Sequence, residues 1–152
     1  WLDAFGDAER VFAIAITSNL SGSFNSARVA KEQYEEEYPD RKVFLIDSLS
    51  AGPELKLIVE KIQELHAEGK SFEEIRAEIS EYIKSTHLLF SLESLKNLAN
   101  NGRTSQVVAA MAGILGIRLV GKASDHGTLE PMHKCRGEKK ALETLRRVME
   151  DI

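Results

Sequence analysis

The sequence predicts an α/β fold in two parts: a parallel-sheet α/β/α part over residues 1–85 and an α+β part over residues 86–152. Three observations predict it. Two continuous apolar runs, "VFAIAI" at 11–16 and "KVFLIDS" at 42–48, have the composition of strands buried on both faces. A segment with helical spacing separates them, and this strand–helix–strand order implies a parallel sheet with a right-handed crossover. After about residue 87 the order changes to strand, short helix, apolar helix and hairpin.

Each element has its own signal. After the first strand, residues 17–23 form a hydroxyl-rich loop, and Phe24, Ala27, Ala30, Tyr34 and Tyr38 then keep helical spacing until Pro39. The second strand leads into "SLSAGPE", a turn whose Pro53 suits the first turn of a helix. Leu55, Ile58, Val59, Ile62 and Leu65 mark one face of that helix, with Gly69 as its C-cap. Ser71 and Glu74 have capping-box spacing, and Phe72, Ile75, Ile79 and Ile83 make the buried face that follows. "HLLFSLES" (87–94) reads as a strand and "SLKNLANNGR" as a short helix stopped at Asn101-Gly102. "SQVVAAMAGILG" reads as a nearly all-apolar helix, and "IRLVGKAS", "DHG" and "TLEPMHKC" as an antiparallel hairpin. A last helix begins near Gly137.

Composition excludes several classes. The chain has 152 residues, 43% apolar and 29% charged, with a net charge of −4. Acidic and basic residues are interspersed, unlike the basic stripe of a nucleic-acid surface. No apolar run has the length of a membrane span or the form of a secretory leader, so stable membrane insertion is not expected. The single cysteine, Cys135, cannot form an internal disulfide, and a cytoplasmic location is the expectation. The chain opens at Trp1 and ends in a helical pattern, so both ends read as cuts through a longer protein.

In parallel α/β sheets ligands sit beyond the carboxyl ends of the strands, often at a helix N-terminus. The loop 17–23 holds that place, with Thr17, Ser18, Ser21 and Ser23 offering hydroxyls and Gly22 permitting close backbone approach. Free N–H groups and the helix dipole favour an anion there. With no lysine or arginine in the loop, a carboxylate or single phosphate fits better than a triphosphate, and the P-loop spacing is absent. The same hydroxyls could instead be ordinary N-caps.

A second feature is "NNGRTS" at 100–105, where Arg103 lies at a forced bend and Ser105 can cap the next helix. Arg103 is either a solvated residue after a C-cap or a fixed guanidinium offered to an anion. The apolar helix after it is core, or the wall of a lipid tunnel in which small residues leave room and Met adapts. His66, His87, His126 and His133 form no metal-binding pair, and Cys135 has no catalytic context. The charge runs "EEEYPDRK" and those near the C-terminus read as solvated helix surface. No cofactor signature is present.

Taken in order, "ITSNLSGSFNSARVAKE", "VFLIDSLSAG", "LLFSLESLKNLANNGRTS" and "GILGIRLVGKASDHGTLEPMHKCRGEKKALETL" resemble the DegV family of bacterial fatty-acid-binding proteins. The shared patterns fall on Ser18 to Ser23, Ile46 to Ser50, Asn101 to Ser105 and Arg136 to Leu142. Each is weakly specific alone, and four in order are strong. The resemblance implies a two-domain protein holding one long-chain fatty acid, its carboxylate near the domain interface and its acyl chain in the second domain. It also implies a non-catalytic role: the protein presents the carboxyl group to a partner fatty acid kinase, and the product feeds phospholipid synthesis. By position Ser18 is the carboxylate-contacting hydroxyl, Ser21, Gly22 and Ser23 shape the loop, and Arg103 is the arginine near the head group. Family members are longer at both ends, where a second head-group hydroxyl and a closing histidine segment lie. Asn101 replaces a common glycine, a small change because Asn tolerates left-handed backbone.

Two other functions compete. One is an enzyme or subunit acting on a small polyol or phosphorylated substrate, related to the dihydroxyacetone kinase architecture, which would need a nucleophilic histidine that the sequence does not identify. The other is a regulatory module sensing another small anion.

Overall fold

The structure, a computed structural model, describes residues 1–103 and 116–152. The expected apolar helix, with Thr104 and Ser105, lies outside the described residues. The chain divides into two compact units, Trp1–Thr86 and His87–Ile152.

The first unit runs α1 (Leu2–Phe5), β1 (Arg10–Ala15), α2 (Ser23–Glu37), β2 (Lys42–Asp47), α3 (Gly52–Ala67), α4 (Phe72–Tyr82) and a 3-10 turn (Ile83–Ser85). β1 and β2 pair in parallel, from Arg10 opposite Lys42 to Ala15 opposite Asp47. Successive strand side chains point to opposite faces, so each strand feeds two cores. Ala13 and Val43, with Val11 and Leu45, pack with Phe5, Ala30 and Tyr34 on the α2 side. Ile46, with Phe12, Ile14 and Phe44, packs with Ile58, Leu65, Ile75 and Ile79 of α3 and α4. These two cores are the α/β/α layering the apolar runs predict. Ile58 and Ile79 are fully buried, each contributing about 1.5–3 kcal/mol.

The helix ends follow their sequence signals. Ser71 Oγ accepts from Glu74 N–H while the Glu74 carboxylate accepts from Ser71 N–H, a complete capping box. α3 ends one residue earlier than Gly69 alone would mark, with Glu68 as C-cap. Gly69 follows at φ 80°, and Lys70 N–H closes the turn onto Leu65 O at 3.2 Å.

The run "EEEYPDRK" is largely exposed, as expected of solvated surface, but Glu35 is half-buried: its carboxylate accepts Val43 N–H at 2.8 Å and pairs with Lys31 at 2.6 Å. Lys42 N–H points to β1, bonding Glu9 O, so Val43 N–H points to the opposite edge of β2. Among the described residues no strand pairs with that edge of β2, and Glu35 covers part of it.

The second unit runs β3 (Leu89–Leu92), α5 (Lys96–Asn100), β4 (Ile117–Ala123), β5 (Leu129–Arg136) and α6 (Glu138–Glu150). The expected hairpin is β4–β5, and β3 adds antiparallel to β4, giving the order β3-β4-β5. One face packs Val120 and Cys135 on Ala141 and Leu145 of α6, and the other packs Leu119 with Leu95, Phe90 and Leu98. Gly121 sits at a register shift where a Cβ would lie 2.3 Å from Glu130 O and 2.6 Å from Phe90 Cζ.

Candidate functional site

Parallel pairing places the carboxyl ends of β1 and β2 side by side, so the loops that follow them meet. Thr17 and Ser50 are buried, and Thr17 N–H donates to Ser50 O at 2.9 Å, tying the two loops together. Ser48 N–H reaches back to Ala15 O at 3.2 Å. The Asp47 carboxylate ends β2 and accepts Ser18 N–H at 3.2 Å (Oδ1) and 3.4 Å (Oδ2). The same Oδ1 accepts Leu49 N–H at 3.2 Å, in a turn where Leu49 adopts φ 52°. That left-handed backbone is unusual for a leucine and is held by these flanking bonds.

Within the first loop, Leu20 and Ser21 N–H groups donate to Thr17 O at 3.1 and 3.2 Å. Ser21 Oγ accepts Ser23 N–H at 3.2 Å. The N-cap position of α2 is Gly22, with no side-chain cap of its own, and Ser21 Oγ, one residue earlier, satisfies the first helical amide, so the capping reading holds for Ser21 alone among these bonds. α3 likewise starts at Ala51 with no side-chain cap. Two longer helices thus begin with N-cap residues that offer no side-chain cap, beside one cluster of hydroxyls, an arrangement with positive dipole ends suited to an anion.

Ser18, Ser21, Gly22 and Ser23 are brought together in this loop, and Ser18 and Gly22 are exposed. Arg103 belongs to the second unit. There its N–H donates to Leu98 O at 3.0 Å and Nη1 to Asn101 O at 3.2 Å, while Gly102 before it takes φ 66°. Arg103 is exposed and held at the bend by its own backbone contacts.

Loop composition alone missed two residues. Asp47 lies outside the loop in sequence, and only the parallel register brings it beside Ser18. Ser50 has a buried Oγ without a hydrogen-bond partner among the described residues, which is uncommon for a buried hydroxyl. Their signal was present in "IDSLS", whose place after a second parallel strand puts it next to the first loop. Among the described residues no group of three or more His, Cys, Asp and Glu side chains could hold a metal. A groove of about 350 Å³ on the first unit is lined by Trp1, Leu2, Asp3, Ser26, Val29, Ala30 and Gln33, and excludes the loop. No described helix is long and apolar enough to cross a membrane.

A family model described as an uncharacterised protein of the DegV family matches residues 3–152. A DegV domain-containing protein of Streptococcus pneumoniae (strain ATCC BAA-255 / R6) is 49% identical over 143 residues, covering 94% of this chain and 51% of that protein. One from Streptococcus pyogenes serotype M1 is 48% identical over 145 residues, covering 95% and 52%. Among solved structures, a DegV family protein from Eubacterium eligens loaded with heptadecanoic acid is 50% identical, with a TM-score of 0.93 over 99% of this chain and 55% of that one. The Streptococcus pneumoniae Fatty Acid Kinase (Fak) B3 protein loaded with linoleic acid is 47% identical, with a TM-score of 0.94 over 99% and 53%. The chain spans about half the length of the curated relatives it matches.

Proposed function

The chain belongs to the DegV family, and on that premise we propose that it is the head-group-binding part of a protein that holds one long-chain fatty acid. The observation that carries this reading is the paired loop at the ends of β1 and β2: hydroxyls and two helix N-termini, with no lysine or arginine between residues 17 and 23. Such a place suits one carboxylate. The loaded E. eligens and S. pneumoniae structures support the ligand class. Ser18 supplies the contacting hydroxyl, Ser21, Gly22 and Ser23 shape the loop, and Arg103 is the arginine for the head group. Residues 1–85 supply the ligand loop and residues 86–152 line the acyl tunnel.

In this reading the protein is not itself the catalyst. It presents the carboxyl group to a partner fatty acid kinase in the cytoplasm, without any cofactor of its own. The name of the S. pneumoniae relative supports the kinase partner. Most of the affinity comes from the tail, since each buried methylene contributes about 0.8 kcal/mol before binding costs, and the hydroxyls orient the head. The test is a chain-length series of saturated acids titrated into the full-length protein. Affinity should rise steeply with each pair of methylenes. An affinity independent of length, or no binding at any length, would overturn the reading.

A further inference from the structure

We propose that Asp47 is the positioning residue of the head-group loop, and that its charge selects a singly charged head. This rests on the fatty-acid reading above. Its carboxylate, half-buried at the end of β2, accepts Ser18 N–H at 3.2 and 3.4 Å and Leu49 N–H at 3.2 Å. A backbone amide at a strand end, next to a helix N-terminus, is the usual partner of a bound anion. Here the protein's own carboxylate already holds that amide. Ser18 is left with its hydroxyl as the group for a ligand, and the loop's place is set by β2 rather than by the ligand.

The consequence for specificity follows from distance. Ser18 N lies 3.2 Å from Asp47 Oδ1, so a head group bonded to Ser18 Oγ lies within roughly 10 Å of that carboxylate, comparable to the screening length of physiological salt. A monoanionic carboxylate meets one unit of repulsion there, and a dianionic phosphate meets twice as much. Asp47 is therefore the element of the loop that works against tight binding of a doubly charged head.

The experiment uses the full-length protein with a long-chain fatty acid and the alkyl phosphate of equal length as probes, on wild type, Ser18→Ala, Asp47→Ala, Asp47→Asn and the Ser18→Ala/Asp47→Ala double variant. Asp47→Ala should weaken fatty-acid binding by about tenfold, and the double variant should bind no more weakly than Ser18→Ala, because Asp47 acts through Ser18. Asp47→Asn keeps an acceptor oxygen without the charge. It should hold the fatty acid within about threefold of wild type and bind the alkyl phosphate about tenfold more tightly. Additive losses in the double variant, wild-type affinity in Asp47→Ala, or an unchanged phosphate-to-carboxylate ratio in Asp47→Asn would overturn the proposal while leaving fatty-acid binding intact. If Asp47→Ala does not fold, the Asp47→Asn ratio decides alone. Absence of fatty-acid binding by the wild type would overturn both readings.

Discussion

Ser18 commits its amide to Asp47, so its hydroxyl is the atom on which the head-group reading turns. Ser18→Ala should weaken fatty-acid binding by about 1–2 kcal/mol, the cost of a lost hydrogen bond to a charged group. Isothermal titration of the full-length protein measures this, and an unchanged affinity would remove Ser18 from the site. Ser50 makes the opposite case. Its buried Oγ has no partner among the described residues, so Ser50→Ala removes an unsatisfied hydroxyl and should be neutral or stabilising by up to about 1 kcal/mol in urea unfolding. A loss above that would show that this hydroxyl has a partner. The hydroxyl loop at 17–23 was legible from the sequence because small hydroxyls clustered after an apolar run are distinctive, while Ser18 is singled out within it only by the family resemblance. Asp47 was not singled out, because its role depends on the strand register, and register is a property of two segments together.

At the level of elements, strands buried on both faces wrote themselves as continuous apolar runs, and β1 and β2 were legible for that reason. The antiparallel addition of β3 to β4 was not, since it joins segments far apart in sequence and no local pattern names a partner. The part Glu35 plays was not legible for a similar reason: covering the edge of β2 is visible only once β2 lies beside α2. In β4, Gly121 is required by close approach rather than by backbone angle. Gly121→Ala should destabilise the protein by about 2–3 kcal/mol, because the added Cβ meets backbone at Glu130 O as well as the Phe90 ring. A melting temperature equal to wild type would show that the strands can part there at little cost.

Two carboxylates in the first unit give a pH signature. Burial pushes Glu35 up, but the Lys31 ammonium and Val43 N–H outweigh it and hold its carboxyl below the ordinary value of 4.5. The Ser71 hydroxyl and amide hold Glu74 below the same value. A carboxylate lowered in the folded state contributes stability that is fully present above its unfolded pKa and is lost as pH falls through the folded one. Stability to urea should thus fall below about pH 4.5, and Glu35→Gln together with Glu74→Gln should flatten that fall. An equally steep acid limb in the double variant would place the acid sensitivity elsewhere.

On the scale of the whole molecule, the two units build different things from one chain. The first places a hydroxyl loop at the ends of a parallel sheet, and the second carries Arg103 on an antiparallel α+β frame. On the proposed function, a hydroxyl loop for the head and an apolar tail that supplies most of the affinity call for a ligand with one polar end and a long hydrophobic chain. The most direct measurement is mass spectrometry of what denaturation releases from the purified full-length protein. A stoichiometric long-chain fatty acid is the predicted result. Protein that releases none, and takes up none when it is supplied, would contradict it.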